Sequence, residues 1–347
     1  MRTPEIKLTI LGATGSGKTT LMLGMYAMLA TGVHGYHLFT RDPDDHIDLT
    51  RRWDTLYTRG ELPPPTDEVP TAYQMIFNHG LETMLHLDFV DFRGGAGTAS
   101  TRDADTAADI PTLRERLAES NSIYLVLDGH HVGDWIREEC AGMQVTGAMG
   151  LSIFTQTIMR LFQQFKEEGR ARPSLVVIVT KCDVLEERSG MPRQDALRVM
   201  VKNLKKLVPF AYYPGVTAMI CPVQLGRFGV EPGGTVKPGQ VDPIFVHKPL
   251  IFSLMHYLTE QAAFDRRDLK EVESRRADAR TELEQLRSGF GAGFFRGGEI
   301  RRKSGEIEFA AQRAADLQKE LDTAQQRAAQ LMGELDGLPI IKDGVVR

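Results

Sequence analysis

Apolar residues follow two rhythms along this 347-residue chain. Short unbroken runs alternate with stretches in which they recur every three or four positions. The runs at Ile6–Leu11, Ser122–Leu127, Leu175–Val179 and Val216–Ile220 read as strands; Leu175–Val179 in particular is apolar throughout, as a strand covered on both faces should be. Thr71–Asn78 and Thr83–Phe89 read as a hairpin turned at His79-Gly80. The helical rhythm marks Lys18 to about Ala30, Thr106–Glu119, about Arg193–Leu207 and about Lys248–Phe264. It also marks the face formed by Ile153, Phe154, Ile158, Leu161, Phe162 and Phe165. Met22, Met25 and Met28 share helical spacing and are expected in the core. Residues 31–70 show neither rhythm and read as an irregular connection closed by Pro63-Pro64-Pro65, and 226–243 as a Gly/Pro-rich loop. Strands alternating with helices imply an α/β fold, a mostly parallel sheet with helices on both faces.

The pattern changes near Phe264. Ile300, Ile307, Ala314, Leu321, Ala328 and Leu335 fall seven residues apart, with Lys303, Ala310, Leu317, Ala324 and Leu331 as companions. This is a coiled-coil pattern with Lys303 as its one polar misfit. A shorter phase (Leu269, Val272, Arg276, Ala279, Leu283, Leu286) precedes it, and the glycine-rich 288–298 separates the two. The simplest structure is a helical hairpin; two separate helices, one zipped against a partner, are the alternative. The expected domains are 1–264, an α-helical coiled-coil arm at 265–337 with its Gly/Phe-rich tip at 288–298, and a tail at 338–347. Phe290, Phe294 and Phe295 stand among arginines at that tip. They read as incidental aromatics in a flexible loop, with a finger for an anionic membrane surface or partner groove as the other reading.

Composition narrows the classes. A net charge of −4 and balanced heptad charges argue against nucleic acid as a partner. No apolar run reaches the roughly 20 residues of a membrane span. Three cysteines, Cys140, Cys182 and Cys221, fit a reduced, cytoplasmic chain without a disulfide framework or zinc site.

The chemistry concentrates in three segments. Gly12-Ala13-Thr14-Gly15-Ser16-Gly17-Lys18-Thr19 is a complete GxxxxGK[ST] loop between a strand and a helix. Its backbone N–H groups can converge on phosphates, with Lys18 at the β- and γ-phosphates, Thr19 on Mg²⁺ and Thr20 at the α-phosphate. Asp91 and Gly94 form DxxG at the end of a strand, Asp91 placed for Mg²⁺ through water and Gly94 for the γ-phosphate. Asp88, three residues earlier, takes a structural role. Thr180-Lys181-Cys182-Asp183 closes the apolar run at 175–179. Asp183 can accept two hydrogen bonds from guanine, a donor pair adenine lacks, while the Lys181 stem packs on the ring. Asp128 ends a strand on the same edge. His130-His131 with Asp134 reads as a loop there, no other ligand spacing supporting a metal site.

GATGSGKT, DFRG and TKCD together resemble the Ras-like, translation-factor-related branch of P-loop GTPases over about residues 5–225. WDTLYTRGELPPPT at 53–66 and HKPL at 247–250 look more like the bacterial double-GTPase group, whose members are usually encoded beside a second GTPase. The resemblance implies a switch threonine that ligates Mg²⁺, best placed at Thr66, with Thr71 next. It also implies a glutamine after the DxxG glycine; Gly95 stands there, so slow intrinsic hydrolysis of GTP to GDP is expected. Arg93 is the nearest cation. The usual guanine-oxygen loop is replaced by Cys221-Pro222-Val223, which leaves Cys221, Val223 or a neighbour as donor. The expected function is a Mg²⁺-dependent GTP switch acting on a second GTPase, a second copy of the chain or a coiled-coil partner. A dynamin-like membrane GTPase and a non-hydrolysing GTP-bound scaffold are the alternatives.

Overall fold

A computed structural model describes residues 3–63, 71–91, 109–141, 147–227, 236, 240–288 and 297–347. Its strands are β1 (Glu5–Gly12), β2 (Tyr36–Thr40), β3 (Thr71–His79), β4 (Glu82–Asp91), β5 (Ser122–Asp128), β6 (Ser174–Thr180) and β7 (Thr217–Pro222). After these come the short β8 (Gln224–Gly226), β9 (Val241–Ile244), β10 (Ile340–Lys342) and β11 (Val345–Val346). The helices are α1 (Lys18–Thr31), α2 (Pro43–Arg59), α3 (Asp109–Glu119), α4 (Gly129–Arg137), α5 (Leu151–Glu167), α6 (Cys182–Ser189), α7 (Arg193–Leu207), α8 (Lys248–Ser288) and α9 (Gly297–Glu334).

Two compact units result, residues 2–254 with 334–347, and residues 255–333. In the first, nine strands form one sheet in the order β11-β10-β7-β6-β5-β1-β4-β3-β2, and β8 pairs with β9 separately. β4, β1, β5, β6 and β7 run parallel. Their carboxyl ends therefore share one edge of the sheet, where Gly12, Asp91, Asp128, Thr180 and Pro222 stop. Ligands of open α/β sheets bind beyond that edge. Val176, Val177, Ile178 and Val179 of β6 are wholly buried, as an apolar central strand requires. Trp135, Phe154, Phe162, Phe165 and Phe210 fill the core between that sheet and α4, α5 and α7.

Residues 31–70 are not irregular throughout, contrary to their polar pattern. They supply the edge strand β2 and the whole of α2. Asp42 caps α2 by accepting from the Asp44 N–H at 2.9 Å, Pro43 sits in its first turn and Gly60 ends it in left-handed backbone. Only Leu49 and Leu56, seven residues apart, are buried on it, too sparse a stripe to announce a helix. The residues at 130–131 are likewise helical, in α4, with Asp128 accepting from the His130 N–H at 3.0 Å. Ile340–Lys342, inside the stretch the sequence sets apart as a tail, pairs antiparallel with β7 and buries Ile341 completely.

In the second unit, α8 runs without a break past Phe264 to Ser288. On α9 the heptad positions Ala314, Leu317, Leu321, Ala324 and Leu331 are buried. Lys303, the polar misfit, reaches Glu282 of α8 at 2.8 Å and Glu306 at 2.9 Å. An ammonium between two carboxylates explains its place in an otherwise apolar row. Of the tip 288–298, residues 289–296 lie outside the described residues.

Candidate nucleotide site

Six residues, Gly12–Gly17, turn β1 into α1, and two glycines make the turn. Gly15 (φ 77°) and Gly17 (φ 86°) hold left-handed backbone. At Gly12 the limit is space: a Cβ there would stand 2.8 Å from the Val126 carbonyl oxygen. The Ser16 N–H donates to the Ala13 carbonyl at 3.2 Å and tightens the loop. Lys18 is buried, and its Nζ donates to the carbonyls of Gly12 and Ala13, both at 3.0 Å. An ammonium curled over a loop at the positive end of a helix fits a polyphosphate. Thr14 is exposed; Thr19 and Thr20 are half-buried in the first turn of α1.

Asp91 is the last residue of β4 and lies in register with Ile10 of β1 and Thr71 of β3. Thr66, Arg93 and Gly94 lie outside the described residues. Asp88 is engaged elsewhere: its carboxylate meets Arg116 Nη1 of α3 at 2.6 Å, and Arg116 Nη2 donates to its carbonyl at 2.6 Å.

The Thr180–Asp183 segment is bound to the glycine-rich loop. Thr180 Oγ1 donates to the Ser16 carbonyl at 2.7 Å. Lys181 adopts left-handed backbone (φ 51°), a conformation that costs a non-glycine residue on the order of 1 kcal/mol. Its Nζ donates to the Gly15 carbonyl at 2.8 Å and pairs with Asp128 Oδ2 at 2.6 Å. Asp183 follows in the first turn of α6. Asp128 thus holds Lys181 with one oxygen and caps α4 with the other. Gly129 permits the close approach, since a Cβ there would lie 2.4 Å from the Thr180 carbonyl oxygen.

Beyond β7 the sequence left the guanine-oxygen donor open. Cys221 is buried, its Sγ 3.9 Å from the Phe245 carbonyl, and burial pushes its thiol pKa well up. The Val223 N–H is committed to the Val179 carbonyl at 2.8 Å. Cys182 packs beneath, its Sγ 3.5 Å from that same Val179 oxygen, and burial pushes it up to about 12. Gln224, which the sequence reading passed over, is buried and takes a hydrogen bond on Oε1 from Arg193, itself paired with Glu186 at 2.9 Å. Leu225 seats on α1 at Gly24, where a Cβ would lie 1.9 Å from Leu225 Cδ2. The sequence already set Asp128 at this edge; only the third dimension adds Gln224 and Gly129 and joins Asp128 to Lys181.

Among the described residues, no helix is long and apolar enough to cross a membrane. No curated protein matches the chain. A family model described as Double-GTPase 2 matches residues 6–212, which hold the phosphate loop, Asp91 and Asp183. With that match over more than half its length, this P-loop chain belongs to the Double-GTPase 2 family of GTP-binding GTPases.

Proposed function

We propose that this protein is a Mg²⁺-dependent GTP switch that hydrolyses GTP slowly on its own and faster with a protein partner. The observation that carries the reading is the Lys181 side chain, which links Gly15 of the phosphate loop to Asp128 beside the base-reading turn. On this reading one side chain couples phosphate recognition to base recognition. Lys18 would hold the β- and γ-phosphates, and Thr19, Thr66 and Asp91 the Mg²⁺, which would supply charge neutralisation there. Asp183 would read guanine N1–H and the 2-amino group. With Pro222 lacking an N–H and that of Val223 committed, a neighbouring backbone N–H would serve the guanine oxygen.

Gly95 in place of glutamine supports slow turnover, and an arginine supplied in trans is typically worth about 10³–10⁵ in rate. The partner is a second GTPase or a second copy of the chain, and the arm at 265–337 is the docking element that receives or transmits the state. Titration calorimetry with GTP, GDP and ATP tests the base assignment; equal affinity for GTP and ATP ends it. Asp183→Asn should shift preference toward xanthine nucleotides, whose 2-oxo group accepts where guanine donates. Single-turnover hydrolysis across protein concentrations tests the rate. Fast, concentration-independent turnover by the isolated chain would remove the need for a partner.

A further inference from the structure

The first turns of α4 bring His130, His131 and Asp134 together, with one ligand atom of each within 4.8 Å of the others. His130 Nε2 stands 3.6 Å from Asp134 Oδ2. Two donors of a tetrahedral shell with bonds of about 2.1 Å lie roughly 3.4 Å apart, so this pair is already spaced for one cation. The second observation is that His130 Nε2, on a side chain that is 36% exposed as a whole, is itself screened from solvent and makes no hydrogen bond. A polar atom withdrawn from water in this way costs free energy unless something occupies its lone pair or proton.

The charges around Asp134 bear on the choice of occupant. Arg137 Nη2 donates to Oδ1 at 2.8 Å, and Arg188 Nη1 lies 3.9 Å from that same oxygen. Both guanidinium groups therefore sit on Oδ1, and Oδ2 is the oxygen turned to the imidazole. A carboxylate fixed through one oxygen and presented through the other is how outer-shell partners orient a metal ligand. The His131 ring stacks on that of His130 with centroids 5.2 Å apart, and it offers a nitrogen within 4.8 Å of the other two ligand atoms. Two imidazoles and one carboxylate suit a zinc-class divalent cation and disfavour Mg²⁺, which prefers an all-oxygen shell.

We propose that His130, His131 and Asp134 bind one zinc-class divalent ion, separate from the Mg²⁺ of the nucleotide, and that this ion steadies the base-reading segment. The route is short. α4 presses on α6 at Gly133, where a Cβ would lie 2.6 Å from Arg188 Cβ, and on the backbone of Thr180 and Lys181 at Gly129. An ion holding the first turns of α4 constrains both.

The test uses the full chain saturated with Mg²⁺ and GDP, so that added Co²⁺ or Zn²⁺ meets an occupied nucleotide site. One equivalent of Co²⁺ should bind with the visible absorption of a tetrahedral nitrogen–oxygen shell, and Zn²⁺ should displace it. His130→Gln with His131→Gln, and separately Asp134→Asn, should weaken binding at least tenfold while GDP affinity without added metal is retained. No binding, or binding unchanged in the double variant, overturns the site. In the same samples Zn²⁺ should slow GDP release severalfold in the parent chain and leave the double variant unmoved. A release rate indifferent to Zn²⁺ overturns the link to the base-reading segment.

Discussion

Asp128 and Lys181 meet at the carboxyl edge of the parallel sheet, Oδ2 to Nζ at 2.6 Å, and both side chains are largely withdrawn from solvent. The pair joins the ends of β5 and β6, and through Gly15 it joins both to the phosphate loop. Asp128→Ala removes this partner and the cap of α4 together. A lost cap costs about 1 kcal/mol and a partly buried ammonium left without its carboxylate more, so a destabilisation of about 1–3 kcal/mol is expected. GDP should bind more weakly as well. Chemical denaturation and GDP titration measure the two effects, and unchanged GDP affinity would mean that Gly15 alone positions Lys181.

Ser16 is nearly inaccessible and its hydroxyl has no hydrogen-bond partner. A buried unpaired polar group costs about 1–3 kcal/mol. Ser16→Ala should therefore stabilise the nucleotide-free protein by about 1 kcal/mol, read as a higher Tm. A lower Tm would show that the hydroxyl is satisfied in solution.

The last strands belong to the sheet. Ile341 is fully buried beside β7, so Ile341→Ala should cost about 2–5 kcal/mol, and removal of 338–347 at least as much. Urea denaturation decides this. A truncated chain of parental stability would make the C-terminal strands dispensable.

His247 carries the pH prediction. Burial, then Lys248, lowers its pKa from the ordinary 6.5 to about 4. The unfolded chain takes up this proton between pH 6.5 and 4 while the folded one does not, so stability is complete above about 6.5 and declines as pH falls toward 4. The loss from this one group is on the order of 3 kcal/mol. His247→Gln should flatten that part of a Tm-against-pH curve, and an unchanged curve would place the acid sensitivity elsewhere.

What the sequence by itself determined was whatever rests on contiguous residues. GATGSGKT, the Asp91 strand end and TKCD each need a few neighbours with fixed roles, and the apolar runs of β1, β5 and β6 announce buried strands whatever surrounds them. The heptads of α9 are equally local. What only the tertiary structure decided rests on partners far apart in the chain. Arg116 on Asp88, Glu282 on Lys303 and β10 on β7 leave no periodic trace, because each contact is specified by two residues and not by a pattern. α2 and α4 escaped for a related reason: one buries only Leu49 and Leu56, and the other is nine residues long, so packing and a capping aspartate hold them rather than a legible stripe. The same physics hid the Asp128–Lys181 pair, since an ion pair across two parallel strands exists only once the sheet has set those strands side by side.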